Sequence, residues 1–231
     1  MIGVIPAAGQ GSRMEGKCKS LLIVNGDRVI DTILKNMKFA GCKKIYIIQH
    51  GDEIEKFCGN EYYGIDIEYI QQENQTGLLD AIKLMANIKT IEPMLVILGD
   101  IIYEGEDLAR LSTMGNEINI HHAIVTYKIV DDKTKIKKSY GFTESQEVSM
   151  KIIEKPTDDD LEKLESWLGL GIWILKPEAF LFMKDGNFTE TFNKFINDVL
   201  FFELEGNYYN INTEEEFQDA NNHTIQNSNS K

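Results

Sequence analysis

The chain has 231 residues, 42% of them hydrophobic and 26% charged, and a formal net charge of −13. That is enough apolar mass for a real core in one large domain or two small ones, while so acidic a chain argues against non-specific binding to nucleic acid or to an anionic membrane. No apolar run reaches membrane-spanning length, residues 1–20 lack the pattern of a secretory signal, and the three cysteines, at positions 18, 42 and 58, have neither disulfide-framework nor zinc-ligand spacing, which fits a reduced, cytoplasmic setting.

Residues 3–6 predict a short buried strand that empties into a loop of small residues, Ala-Ala-Gly-Gln-Gly-Ser. Glycines let a backbone fold tightly and turn its N–H groups toward an anion. The loop then brings three cations, Arg13, Lys17 and Lys19, which stand out in so acidic a chain. Residues 28–40 carry apolar side chains at helical spacing, with Gly41 as a C-terminal stop. A β-branched strand is predicted over 44–49, a short helix over 51–57, an alternating strand over 65–70, a helix over 77–88 and a buried strand over 94–98. Strands alternating with helices predict an α/β fold, a mostly parallel sheet with helices on both faces.

From residue 120 the pattern changes. A long strand is predicted over 121–130, a hairpin from 140–143 and 149–154, and another strand over 168–175. Helices are predicted over 158–167 and 189–200. Thr213-Glu-Glu-Glu216 reads as a capping box before a last helix. No linker rich in Pro, Gly or Ser separates the halves. Residues 1–220 therefore read as one domain of two lobes, roughly 1–115 and 116–220, which the family resemblance described below implies to be a nucleotide-binding and a sugar-binding lobe. Residues 221–231 are polar, lack apolar anchors and are expected to be a disordered tail.

The glycine loop admits three readings. Gly11 to Lys17 fits G-x-x-x-x-G-K, but Cys18 follows where a P-loop needs Ser or Thr, and Asn25-Gly26 breaks the helix a P-loop requires. Gly9-Gln-Gly11 opens a dinucleotide fingerprint, but Met14 stands at the third glycine, and the next strand ends in Gln49-His50 rather than an acid. In the third reading, Pro6-Ala-Ala-Gly-Gln-Gly-Ser-Arg-Met14 followed by Lys19-Ser-Leu-Leu-Ile-Val-Asn-Gly26 resembles the signature of the sugar-1-phosphate nucleotidylyltransferase family. Cys18 and Ile23 stand where that family usually has proline. Further segments resemble the family in the same order. They are Gln71–Ala81 for base reading by residue number 71–81, Leu98-Gly99-Asp100 for metal binding, Tyr140-Gly141 and Glu154-Lys155-Pro156 for the sugar site, Gly169-Leu170-Gly171-Ile172 for the strand closing it, and Tyr209 to Phe217 at the end.

The resemblance implies the nucleotide-diphospho-sugar transferase fold and a transfer of a nucleoside monophosphate from a triphosphate to a sugar 1-phosphate, with Mg²⁺ and loss of pyrophosphate. Arg13 and Lys19 would be catalytic. Ala8, Gly9, Gly11 and Ser12 would cradle phosphates, and Gln72 and Gly77 would meet the base. Tyr140, Gly141, Glu154, Lys155 and Gly171 would form the sugar-phosphate site. Asp100 would hold the metal, together with Asn210, which stands where the family usually has a second carboxylate; Asn212, two residues on, is the other candidate. A side-chain amide suits the edge of uracil or thymine, so dTTP or UTP is the expected donor. Two competing readings are transfer of CMP to a phosphorylated alcohol such as phosphocholine, and a nucleotide-sugar sensor without catalysis. A homo-oligomer is left open.

Overall fold

The computed structural model describes residues 1–9, 11, 14, 16–117, 121–143, 150–183 and 187–228, and over 223–228 it describes the backbone. Ser12 and Arg13 therefore lie outside the described residues.

In chain order the first half comprises β1 (Ile2–Pro6), β2 (Ile23–Val24), β3 (Asp27–Arg28), α1 (Val29–Phe39), β4 (Lys44–Gln49), α2 (Glu53–Cys58), β5 (Glu61–Tyr62), β6 (Ile65–Gln71), α3 (Leu78–Lys83), β7 (Met94–Ile97), β8 (Ile101–Glu104) and α4 (Asp107–Glu117). The second half comprises β9 (Ala123–Ile129), β10 (Tyr140–Phe142), β11 (Ile152–Glu154), α5 (Asp158–Leu161), β12 (Trp167–Leu175), α6 (Phe188–Lys194), β13 (Val199–Glu203), β14 (Asn207–Asn210) and α7 (Glu214–Ser228).

The central sheet has eight strands in the order β13-β9-β12-β7-β1-β4-β6-β5. β7, β1, β4 and β6 run parallel. β12 is antiparallel to both its neighbours, and β13 is parallel to β9. The sheet is thus mixed and mostly parallel, as the alternation predicts. The parallel strands are apolar because they are covered on both faces. One apolar layer gathers α1 residues Ile30, Ile33, Leu34 and Met37 with β4 and β8. The other packs α3 and the aromatic side chains of α6 against Val4, Val96 and Trp173.

β1 and β7 end side by side, so their carboxyl ends place Pro6 and Leu98 at one edge. Ligands bind in open α/β sheets at that edge. The antiparallel pair β8 and β14 carries the chain back across it.

Several elements differ from expectation. The predicted helix over 158–167 stops at Leu161, and Trp167 already begins β12. The predicted helix over 189–200 ends at Lys194, and Val199 starts a strand against β9. In both places tertiary pairing overrides local helical spacing. Residues 221–228, expected to be disordered, continue α7 to Ser228. Asn221 Oδ1 accepts from Asn25 N (3.1 Å) and Ala220 O accepts from the Asn25 side-chain amide (3.1 Å), so polar contacts with the β2–β3 turn tie the helix down at Ala220 and Asn221.

Candidate functional site

The glycine loop folds back on itself. Met14 N and Gly16 N both donate to Gly11 O, at 2.7 and 3.1 Å. Gly11 has φ +58°, and a Cβ there would lie 2.4 Å from Lys17 O, so the turn requires glycine. Met14 is buried beneath the loop. Ala7 N donates to Ile48 O (2.7 Å), and the Gln75 amide donates to Ala8 O (2.5 Å), which pins the loop between β4 and the segment after β6.

Next to the loop lies Asp100, at the end of β7. Gly99 is needed there, because a Cβ would come within 2.7 Å of the Ala7 Cβ and 2.8 Å of Ser20 Oγ. Ser20 Oγ donates to Gly99 O (2.7 Å), and Gly99 N donates to Pro6 O (2.9 Å). Lys19 Nζ donates to Asp100 Oδ2 at 3.0 Å and to Asn212 Oδ1 at 2.9 Å. The Lys19 and Asp100 side chains are 19% and 23% exposed, enough for access but shielded from full screening. Asn212 is placed by a cap: Glu216 Oε2 accepts from Asn212 N (2.9 Å) and Thr213 N (3.1 Å).

These groups line a cavity of about 440 Å³ that also includes Ala8, Gly9, Gly11, Gln72 and Gly77. Gln72 is buried. Its N–H donates to Gln49 O (2.8 Å), and its side-chain amide donates to Gly77 O (3.1 Å). Gly77, with φ +120°, takes a conformation open to glycine alone and starts α3.

A second cavity, of about 340 Å³, opens beside the first. Its lining includes Tyr140, Glu154, Lys155, Gly171, Trp173, Phe188, Thr189 and Asn210. The Tyr140 hydroxyl donates to Leu170 O and accepts from Trp173 Nε1 (2.7 Å). Burial pushes that hydroxyl well above its ordinary pKa, so it stays protonated. A Cβ on Gly169 would stand 2.0 Å from the Tyr140 ring, so the glycine makes room for it. Gly171 N donates to the Tyr208 hydroxyl (3.2 Å), and Gly171 O accepts from Leu98 N (2.9 Å). Glu154 Oε2 accepts from Thr189 Oγ1 (3.0 Å).

The sequence motifs thus converge, with three differences. Of the two asparagines left open, Asn212 meets Lys19 and Asp100. Asn210 lines the second cavity instead, and its buried Oδ1 finds no partner among the described residues. β14 ends at Asn210 and the chain then turns, which separates two residues that an unbroken strand would place on one face. Gly141 lines neither cavity; a Cβ there would meet Ile136 and Leu164, so its smallness serves packing. Lys138 lines both cavities and was missed, since no motif includes it. Gln75 and Trp173 were missed as well. Gln75 falls between the motif positions Gln72 and Gly77, and Trp173 looks like core in an apolar run.

The oxygens around Lys19 bear on how a divalent cation would be held. Among the described residues no cluster of three or more His, Cys, Asp or Glu side chains exists, so an all-protein cage is absent there. Mg²⁺ does not need one: one or two carboxylates plus substrate phosphates and waters suffice. Asp100 Oδ2 and Asn212 Oδ1 already converge on one positive centre, the Lys19 ammonium. Two hard oxygen donors aimed at a cation fit Mg²⁺.

The family model of nucleotidyl transferases matches residues 2–219. The chain therefore belongs to the nucleotidyl transferase family, and the motif resemblance holds at that level. Solved structures share its fold. One, assigned as a glucose-1-phosphate thymidylyltransferase from Bacillus anthracis and complexed with sucrose, has a TM-score of 0.82 at 22% identity, covering 96% of this chain and 94% of that one. A UDP-glucose pyrophosphorylase complexed with UDP-glucose has a TM-score of 0.83 at 20% identity, covering 98% and 100%. A UDP-glucose pyrophosphorylase from Acinetobacter baumannii has a TM-score of 0.83 at 16% identity, covering 96% and 93%. No helix among the described residues is long and apolar enough to cross a membrane.

Proposed function

We propose that this nucleotidyl transferase moves a nucleoside monophosphate from dTTP or UTP to a sugar 1-phosphate and releases pyrophosphate. The observation that carries the reading is the junction of the two cavities, one holding Lys19, Asp100 and Asn212, the other walled by Tyr140, Trp173 and Glu154. The names of the structural neighbours support a pyrimidine nucleotide and a hexose.

An oxygen of the acceptor phosphate attacks the α-phosphorus in line, and the bond from that phosphorus to the pyrophosphate oxygen breaks. Both reactants are polyanions, so positioning and neutralisation do most of the work. Lys19 reaches the α-phosphate and lowers the repulsion between the two anions. Backbone N–H groups of Ala8, Gly9 and Gly11 cradle the triphosphate, and Ser12 joins them by its place in the family motif. Arg13, by its place in the family motif, meets the β- and γ-phosphates. Asp100 and Asn212 would hold Mg²⁺, which when bound supplies further neutralisation between the phosphates. With its amide nitrogen given to Gly77 O, Gln72 keeps its carbonyl oxygen for a donor on the base, such as N3–H of uracil or thymine. Glu154, Thr189 and Asn187 offer polar partners to sugar hydroxyls.

A second reading draws on the aromatic wall. Trp173, Phe188 and Tyr140 beside Glu154 also suit a quaternary ammonium, hence CMP transfer to phosphocholine.

Pyrophosphate release, measured with each triphosphate against glucose 1-phosphate, other sugar 1-phosphates and phosphocholine, separates these readings. Turnover of a sugar 1-phosphate with dTTP or UTP is expected. Turnover confined to CTP and phosphocholine selects the second reading. Nucleotide binding without release for any pair points to a sensor and ends both.

A further inference from the structure

Five residues line both cavities: Gly77, Leu78, Leu98, Lys138 and Lys155. Three are uncharged and two are lysines. Whatever passes between nucleotide and acceptor crosses this seam, and in a chain of net charge −13 its only charged groups among the described residues are cations.

The fold holds the two lysines close together. Lys155 N donates to Ser139 O (2.7 Å), so Lys155 is tied to the residue after Lys138. Lys155 also sits at φ +47°, a conformation that L side chains rarely adopt. Among the described residues each ammonium has only a distant counter-ion. Glu154 Oε1 is 3.9 Å from Lys155 Nζ, and Glu216 Oε1 is 3.4 Å from Lys138 Nζ. Glu216 cannot follow Lys138, because its other oxygen caps Asn212 and Thr213. The two lysine side chains stay 64% and 67% exposed.

Neighbouring lysines behave otherwise. Within Lys133–Lys138, Lys133 donates to Leu164 O and Lys137 pairs with Asp158, while Lys138 alone lines the cavities.

We infer that Lys138 binds the phosphate of the acceptor, opposite Lys155, and that Glu216 is its partner when that phosphate is absent. The inference rests on the transfer reaction proposed above. It adds a substrate-binding residue that no motif marks. Two ammonium groups on a monoester phosphate share its charge and leave one oxygen to face the α-phosphorus.

The test is steady-state kinetics on the intact protein, with the best acceptor of the panel above. Lys138→Ala should raise the acceptor KM about 10- to 100-fold, the loss of one charge-assisted hydrogen bond. The triphosphate KM should stay within about twofold, and Lys138→Arg should recover most of the loss. Lys137→Ala is the control and should change neither constant. An unchanged acceptor KM in Lys138→Ala, with the wild type active, overturns the inference and leaves the reaction standing. So does a rise in both KM values with a lowered unfolding temperature, which marks a structural role. Absence of pyrophosphate release by the wild type overturns the underlying reading, and the inference falls with it.

Discussion

In the cavity beside the glycine loop the charged groups hold one another. Lys19 is bonded to Asp100 and Asn212, and Asn212 is fixed in turn by Glu216. In the second cavity, among the described residues, Lys138 and Lys155 have counter-ions only at 3.4 and 3.9 Å, while the rigid part is aromatic: Tyr140 is locked between Leu170 O and Trp173 Nε1. The contrast fits the reaction proposed above. A triphosphate with a metal asks for preorganised charge. In that reaction an acceptor phosphate asks for a shaped wall and for cations able to swing onto it.

The largest effect should come from breaking the bonded side. Lys19→Ala and Asp100→Asn should each lower kcat by about a thousandfold or more, read as pyrophosphate release. Near-normal turnover in both would remove the assignment of this cavity to the reaction.

The asparagines sharpen the comparison. Asn212→Ala should raise the Mg²⁺ concentration needed for half-maximal rate by about tenfold or more, because it removes one of the two oxygens beside Lys19. Asn210→Ala should leave that Mg²⁺ requirement alone and alter the acceptor KM instead. A Mg²⁺ response confined to Asn210→Ala would reverse the two roles.

Gly169→Ala probes the aromatic side. Its Cβ would enter the Tyr140 ring, which two hydrogen bonds prevent from yielding. A stability loss of about 1–3 kcal/mol is expected in denaturant titration, with a raised acceptor KM and intact nucleotide binding. Equal damage to both substrates would mean the two sides are not separable.

The smallest effect concerns the thiols. Burial pushes Cys42 and Cys58 up to about 12, so at pH 8 only on the order of one in ten thousand of each is thiolate. Cys18 is also raised by burial but is partly accessible beside the loop. A thiol reagent at pH 8 should therefore label Cys18 first, as mass mapping would read, and bound triphosphate should slow it.

Much of this arrangement was legible in the sequence. The strand–helix alternation over the first half, the loop, Asp100 at a strand end, and the Tyr140 and Glu154 hairpin all have local signals, and they converge in space. The rest depends on packing. Nothing in Asn210-Ile-Asn212 says that the strand stops at Asn210, because the turn is set by pairing with β8. Lys138 sits in a run of lysines, and the pairing of β10 with β11, extended by the bond from Lys155 N to Ser139 O, sets it beside Lys155. The Val199–Glu203 strand reads as helix until β9 is there to pair with it.

The central claim is that the nucleotide lies on the loop side, with its triphosphate at Lys19 and its base at Gln72. A crystal structure with UTP and Mg²⁺ tests it most directly. The account predicts phosphate oxygens against Lys19 and the N–H groups of Gly9 and Gly11, a metal between Asp100 and Asn212, and the base against Gln72 and Gly77. A nucleotide seated in the aromatic cavity, with Lys19 still bonded to Asp100 and Asn212, would contradict it.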